Sequence, residues 1–142
     1  LKPYSDITIE KVFKFIEGLC IFKEEHKIVD KPSVVIWDSI ASTLSQREME
    51  AEDPNSVIGY KARLLSLLIP KYALKCSKYN ICFLGINQLR EAIAMGGPYQ
   101  TPRKDLKFIS QGKTIPGGQI LKFNAFQLIE MNIKSDDIFS LG

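Results

Sequence analysis

The sequence has little of what several classes of protein require. No apolar run approaches the roughly 20 residues of a membrane-spanning helix, and the chain does not open on a charged-then-apolar secretion signal. We therefore expect neither membrane insertion nor secretion. The three cysteines lie far apart, which indicates neither a disulfide framework nor a zinc site. We expect all three to be reduced, buried and structural: Cys20, Cys76 and Cys82.

Histidine and strong charge are scarce as well. His26 is the only histidine, and it ends a pattern rich in lysine and glutamate, where a solvated residue is expected rather than a catalytic base. The net charge of +3 permits a nucleic-acid partner but does not by itself indicate one. With 142 residues, 45% of them hydrophobic, the chain has the size and apolar content of a single globular domain.

The most informative segment is an apolar run that ends in a carboxylate and a hydroxyl. Val34–Trp37 leads without a break into Asp38 and Ser39. A run this short, rich in Val and Ile, predicts a strand at about 33–38 that is buried on both faces within a parallel sheet. In open α/β sheets, ligands bind beyond the carboxyl ends of the strands. Asp38 is therefore a candidate ligand for the Mg²⁺ of a nucleoside triphosphate, although an aspartate in this place can also simply cap the next element.

The remaining apolar patterns alternate between helical and strand spacing. Helices are predicted at about 8–26, 57–77 and 119–123, and further strands at about 81–86 and 126–133. Pro70 should kink or split the second helix. This order of elements predicts an α/β fold with a mainly parallel sheet flanked by helices.

Two stretches show no apolar periodicity. Residues 42–56 are polar, and we expect them to be flexible and exposed. Residues 89–117 are rich in glycine and carry five basic side chains against only two acidic ones: Arg90, Arg103, Lys104, Lys107 and Lys113. A long basic loop with Tyr99 and Phe108 available for stacking suits the backbone and bases of nucleic acid. A solvated insertion is the alternative.

Four motifs then occur in a particular order. They are Val34-Val35-Ile36-Trp37-Asp38-Ser39, Gly59-Tyr60-Lys61-Ala62-Arg63, Phe83-Leu84-Gly85-Ile86-Asn87-Gln88-Leu89-Arg90 and Gly117-Gly118-Gln119-Ile120-Leu121-Lys122-Phe123. Together they resemble the RecA family of recombinases, whose bacterial pattern has Asp-Ser after an apolar strand, Ile-Asn-Gln-Ile-Arg, and Gly-Gly-Asn-Ala-Leu-Lys-Phe. The resemblance covers roughly residues 8–133, and the last two motifs are its most specific parts.

The resemblance implies a RecA-like P-loop NTPase core that uses ATP and Mg²⁺. By position, residues 33–38 would be the Walker B strand, with Asp38 near Mg²⁺ and Ser39 as its neighbour in the family's Asp-Ser pair. Gln88 would take the catalytic role of sensing the terminal phosphate of ATP and passing its presence to the loop that follows. An ordinary polar residue at a strand end is the alternative for Gln88.

The resemblance also implies two DNA-binding loops, at about 44–59 and 90–117, and partners that include single-stranded and double-stranded DNA. The residues implied to contact DNA are Ile58, Gly59, Arg63, Ser66, Arg90, Arg103, Lys104, Lys107, Lys113, Gly117, Gly118 and Gln119. Phe123 would lie near the neighbouring protomer of a helical filament or ring and couple the loop to the nucleotide. A core position is the alternative for Phe123, and simple solvation is the alternative for Arg63.

The sequence departs from the family pattern in ways that bear on function. It contains no Gly-x-x-x-x-Gly-Lys-Thr/Ser phosphate loop, because Lys107 stands where the glycine opening such a loop before Gly112 belongs. We expect this loop and the catalytic glutamate upstream of Leu1, so that the chain is the C-terminal part of an ATPase core and alone binds ATP poorly and hydrolyses none. The longer second loop, Trp37 and Asn124 fit a phage or mobile-element member better than a bacterial housekeeping one.

Three functions are compatible with these observations. The first is an ATP-dependent recombinase core that forms a filament on single-stranded DNA and promotes homologous pairing and strand exchange, in the cytoplasm of a bacterial or phage-infected cell. The second is an ATP-independent DNA-binding or regulatory module that keeps the RecA-like sheet. The third is a RecA-fold helicase-type ATPase. The motif at 117–123 disfavours the third, because it belongs to the recombinase loop.

Overall fold

The computed structural model describes residues 7–88, 90–91 and 113–131. The elements in chain order are α1 (Ile9–Glu25), β1 (Ser33–Asp38), α2 (Gln46–Glu50), a 3₁₀ turn (Pro54–Val57), α3 (Tyr60–Lys78), β2 (Ile81–Ile86), β3 (Arg90–Glu91), β4 (Lys113–Thr114) and α4 (Ile120–Asn124). The predictions of α1, β1, β2 and α4 are confirmed to within one residue at each end. The α/β class, with a small parallel sheet and flanking helices, is confirmed too.

The two long strands set the geometry of the molecule. β1 and β2 pair in parallel, from Ser33 opposite Ile81 to Asp38 opposite Ile86. Because the strands run in the same direction, the polar residues that follow each of them emerge at one edge of the sheet. A second, antiparallel pair is formed by the two-residue strands β3 and β4.

The core lies on one face of this sheet. Helices α1 and α3 both pack there, and the ring of Phe13 contacts the rings of Trp37, Tyr72 and Phe83. Buried side chains from α1, β1, α3 and β2 complete the core: Ile9, Ile16, Cys20, Val35, Leu65, Ile69, Cys76 and Ile81. Thr8 begins α1, because its side chain accepts a hydrogen bond from the Lys11 N–H.

The opposite face of the sheet is uncovered by any element that the structure describes. Val35 and Trp37 are 7% and 5% exposed, whereas Val34 and Ile36 are 65% and 62% exposed. The neighbouring strand follows the same alternation, with Cys82, Leu84 and Ile86 exposed. The prediction of a strand buried on both faces is therefore wrong for the described chain, since its helices cover only one side.

Helix α3 runs without interruption through Pro70. A proline removes one helical hydrogen bond, here the bond to the Ser66 carbonyl, and strains the preceding turn. Burial of Ile69 and Tyr72 on either side of the proline offsets that cost by fixing the helix to the core. Of the two predicted effects of Pro70, the split is wrong, and the kink stays a prediction.

The prediction of a strand at about 126–133 is also wrong for the residues that the structure describes. Residues 126–131 form no strand, and Phe126 and Met131 are fully or almost fully exposed. A strand requires a partner, and none of the described strands lies beside this segment. Residues 42–56 are mostly exposed, as predicted, and they contain α2, which begins with a capping box between Ser45, a buried residue, and Glu48.

The structure shows where the cysteines and the single histidine lie. Cys20 and Cys76 are buried, as predicted, but Cys82 is exposed because it lies on the uncovered face of β2. His26 is exposed at the C-terminal end of α1, where its ring contacts Phe22, so the prediction of a solvated helix end is confirmed. Among the described helices, none combines the length and the apolar character needed to cross a membrane.

Candidate functional site

Asp38 lies at the carboxyl edge of the parallel sheet. Its side chain is exposed and shares the uncovered face of β1 with Ile36. The peptide bond between Asp38 and Ser39 is cis. Two residues on, the Ile40 N–H donates to the Ile86 carbonyl at 2.9 Å, which keeps the chain leaving β1 attached to the end of β2. Asp38 is thus an accessible carboxylate held on a rigid strand end.

The turn after Asp38 is fixed by hydroxyl groups. The Ser39 hydroxyl is buried and lies 2.9 Å from the Ser42 hydroxyl. The Thr43 hydroxyl donates to the Ser39 carbonyl at 2.8 Å and accepts a hydrogen bond from the Trp37 indole N–H at 2.8 Å. Ser39 therefore shapes the turn rather than presenting a free hydroxyl. Of the two residues predicted to contact the nucleotide and its metal, Asp38 alone has an accessible side chain.

The chemistry of Asp38 suits one ligand position on Mg²⁺. This ion is commonly bound by one or two carboxylates together with waters and substrate phosphates, rather than by a complete protein cage. The described residues contain no group of three or more His, Cys, Asp or Glu side chains that could hold a metal. Asp38 alone, at the end of its strand, is compatible with a Mg²⁺ site that waters and substrate phosphates complete.

The end of β2 is tied to the segment that leads into α4. Gln88 is exposed, and its backbone N–H donates to the side-chain oxygen of Asn87 at 2.9 Å. The Asn87 side-chain nitrogen donates to the Pro116 carbonyl at 2.8 Å. Asn87 was not among the predicted site residues, although it stands directly before Gln88 in the motif at residues 83–90 that carries the family resemblance.

The two glycines after Pro116 are required by close packing. Gly117 and Gly118 have φ values of +94° and +87°, which glycine adopts more readily than other residues. A Cβ atom on Gly117 would lie 2.8 Å from Leu65 Cδ1, and one on Gly118 would lie 3.2 Å from the Cβ of Ala62. The turn therefore lies directly against α3.

This contact creates a groove between α3 and α4. Its volume is about 370 Å³, and its lining comes from both helices and the glycine turn: Ala62, Arg63, Ser66, Gly118, Gln119, Ile120 and Phe123. The structure thus brings together five of the predicted site residues, which the sequence separates by more than fifty positions. Phe123 is 71% exposed, so within the described chain it is a surface residue and not a core one.

The groove is lined mostly by apolar surface, and Arg63, Ser66 and Phe123 are the cationic, polar and aromatic residues in its lining. Arg63 is exposed on α3, and the Ser66 hydroxyl donates to the Ala62 carbonyl one turn earlier. Gly59 begins α3 with φ +74°, and a Cβ atom there would lie 4.0 Å from a guanidinium nitrogen of Arg63. Ile58, directly before it, is 68% exposed. The end of the predicted first DNA loop therefore lies beside Arg63.

The basic residues predicted in the second DNA loop are not tested by the part of the chain that the structure describes. Arg90 and Lys113 belong to β3 and β4, whose pairing closes the base of the predicted second loop. Arg103, Lys104 and Lys107 lie outside the described residues. The roles of these five residues stay predictions.

Comparison with known proteins identifies the relatives of this chain. A family profile described as the RecA N-terminal domain matches residues 24–139. The chain is 38% identical over 92 residues to "Protein RecA" of Chlorobium limicola, a match that covers 65% of this chain and 23% of that relative. "Protein RecA" of Clostridium perfringens (strain 13 / Type A) is 32% identical over 111 residues, covering 77% of this chain and 27% of its own length.

These matches define how far the likeness extends. "Protein RecA" of Heliobacterium modesticaldum is 30% identical over 111 residues, which are 77% of this chain and 28% of that protein. The chain thus spans about a quarter of the length of the curated relatives it matches. The profile describes the matched region as the N-terminal domain of RecA, so that domain is what the comparisons show, and not the C-terminal part of an ATPase core that we expected.

Proposed function

Because the chain belongs to the RecA family, we propose that it forms part of an ATP-dependent DNA recombinase core. In this proposal, a RecA-like P-loop NTPase core binds single-stranded DNA as a filament and promotes homologous pairing with double-stranded DNA and strand exchange. The reaction would take place in the cytoplasm of a bacterial or phage-infected cell.

The observation that carries the proposal is the groove between α3 and α4. Arg63 supplies a guanidinium for the phosphate backbone, and Phe123 supplies an exposed aromatic ring beside it. Gly118 lets the backbone wall of the groove pack directly against α3, because a Cβ atom there would lie 3.2 Å from the Cβ of Ala62. In a filament, the exposed ring of Phe123 would also be available to a neighbouring protomer.

The nucleotide side of the proposal depends on the sheet edge. Bound ATP and Mg²⁺ would supply the phosphoryl chemistry and the charge that orders neighbouring loops. Asp38 would hold the Mg²⁺ ion, Ser39 would keep the strand end in shape, and Gln88 would face the terminal phosphate. Residues 33–38 would be the Walker B strand, and residues 44–59 and 90–117 the two DNA-binding loops.

The experiment is fluorescence anisotropy of a labelled single-stranded oligonucleotide titrated with the 142-residue chain across a salt series. Each phosphate contact on single-stranded nucleic acid contributes about 0.7 to the slope of log affinity against log salt. We expect Arg63→Gln to weaken binding several-fold and to reduce the slope by about that amount, because it removes one phosphate contact.

Lys71→Gln is the matched control. Lys71 is exposed on the same helix, two turns beyond the groove, with its ammonium over the Tyr72 ring. Both substitutions remove one positive charge, so a general electrostatic effect changes both variants equally, whereas a contact in the groove changes only Arg63→Gln. Equal slopes for the two variants, or no binding by the unaltered chain, would contradict the proposal.

ATP distinguishes the recombinase from an ATP-independent DNA-binding module. We expect the 142-residue chain alone to hydrolyse no ATP, because its sequence contains no phosphate loop. In a parent protein that has such a loop, ATP and Mg²⁺ should tighten DNA binding, and Gln88→Ala should abolish the tightening. Equal binding by the parent with and without ATP would favour the module instead.

A further inference from the structure

The side-chain amide of Asn87 connects two segments that the proposed function uses separately. Its oxygen accepts the Gln88 N–H at 2.9 Å, and its nitrogen donates to the Pro116 carbonyl at 2.8 Å. One half-buried amide therefore bridges the residue at the nucleotide edge and the residue that begins the glycine turn. A side-chain amide can make both bonds because it carries an acceptor oxygen and a donor nitrogen on one planar group.

The turn that Asn87 holds is packed against two other elements. Leu65 of α3 and Ile40, which follows Asp38, both lie against Gly117, with Ile40 Cγ2 3.6 Å from the position of a Cβ atom there. These contacts are apolar, and they set how closely the turn approaches the helix. The hydrogen bond from Asn87 is directional, so it fixes where along the groove the turn sits.

We propose that Asn87 is a positioning residue that sets the register between the end of β2 and the groove wall formed by Gly118 and Gln119. Its link to Gln88 makes the position of that wall depend on the backbone at the nucleotide edge. The part of this inference that concerns DNA rests on the proposed function, whereas the part that concerns the turn does not.

The test is amide hydrogen exchange on the 142-residue chain and its Asn87→Asp variant. Aspartate keeps the size and the oxygen that accepts from Gln88, but it has no N–H to donate and sets a negative charge against the Pro116 carbonyl. We expect amides at 115–119 to exchange about tenfold faster in the variant. The hydrogen bond to the Pro116 carbonyl is lost, and that carbonyl oxygen then faces a carboxylate. Amides of β1 should be unchanged.

Asn80→Asp is the matched control at the other end of the same strand. The Asn80 side-chain nitrogen donates to the Asp30 carbonyl at 2.8 Å, the same kind of bond at the same length. This substitution should leave exchange at 115–119 unchanged. If both variants accelerate exchange in β1 and in the turn alike, Asn87 has only a general structural role, and the inference is wrong.

DNA binding gives the second readout. Asn87→Asp should weaken single-stranded DNA binding about fivefold more than Asn80→Asp does, because both variants add one negative charge but only Asn87→Asp displaces the groove wall. Unchanged affinity in a variant with faster exchange at the turn would overturn the inference. If the unaltered chain binds no DNA, the proposed function fails, and the exchange data still decide whether Asn87 holds the turn.

Discussion

The ring of Phe13 on α1 meets the indole of Trp37 on β1 edge to face, with centroids 5.9 Å apart and planes at 85°. This is a favoured geometry for two aromatic rings, and Phe13 is only 2% exposed. We expect Phe13→Ala to cost about 3–5 kcal/mol of unfolding free energy, through lost burial and the cavity left behind. The ring of Phe15 on the same helix is 62% exposed, so Phe15→Ala should change the free energy of unfolding by about 0.5 kcal/mol or less. Urea unfolding of both variants checks the difference.

A second expectation concerns the glycine turn. Gly117→Ala places a methyl group 2.8 Å from Leu65 Cδ1 and 3.0 Å from Leu121 Cδ1, in a backbone conformation that alanine disfavours. We expect a loss of about 1–3 kcal/mol. Gly18→Ala is the control, because a Cβ there meets nothing within 4 Å and Gly18 lies inside α1, where alanine should stabilise by up to about 1 kcal/mol. Equal unfolding midpoints for the two variants would contradict the packing of Gly117 against α3.

A third expectation uses the uncovered face of the sheet. Cys82 is exposed there, whereas burial raises the pKa of the Cys20 and Cys76 thiols and so disfavours the reactive thiolate. Of the three thiols, we expect one to react rapidly with a chromogenic disulfide reagent in the native chain, and all three in denaturant. Cys82→Ser should remove the rapid phase. A native chain with no rapid phase would mean that this face is covered in solution.

The fourth expectation concerns alkaline pH. Burial raises the pKa of Tyr72 to about 12 from an ordinary value of 10, with a further contribution from the hydrogen bond to Glu17. Between these two pH values, the unfolded chain loses the proton while the folded chain keeps it, so folding stability falls as pH rises. Tyr72→Phe should make this fall shallower. Urea midpoints measured at several pH values from 8 to 12 check the slope, and an unchanged slope would contradict the role of Tyr72.

Folding stability also depends on pH in the acid range, through Glu17 beside Tyr72. The hydrogen bond from Lys75, whose ammonium lies 2.9 Å from the carboxylate, lowers the pKa of Glu17 below its ordinary value. The pair therefore stabilises the fold at pH values above the ordinary pKa of Glu17. This stabilisation is lost as the pH falls through the lowered pKa. Because Glu17 is a surface group, the effect should be small beside the alkaline one.

Much of the secondary structure could be predicted because its signals are local. The spacing of Ile9, Phe13 and Ile16 defines one face of α1, and the runs that became β1 and β2 are too short and too branched for helices. The placement of Asp38 and Gln88 at one sheet edge followed from the parallel arrangement. These inferences need only neighbours in sequence and the geometry of regular elements.

The remaining features depend on contacts between distant segments. Val34 and Ile36 carry the same apolar signal as Val35, and only the packing of α1 and α3 on one side decides which are buried. The role of Asn87 depends on Pro116, which lies 29 positions away. No local pattern predicts such a pair, because its hydrogen bond exists only once the glycine turn packs against α3.

The parallel register of β1 on β2 also determines when the sheet can form. Ser33 pairs with Ile81 across a connection of roughly fifty residues that contains α2 and α3. Closing this connection costs chain entropy before any hydrogen bond between the strands can form. During synthesis, β1 therefore leaves the ribosome well before its partner exists. Until then, Val34–Trp37 is an unpaired, β-branched apolar segment of the kind that associates with other chains. Refolding yield should accordingly fall as the protein concentration rises, and folding on the ribosome should benefit from early binding of a chaperone to this segment.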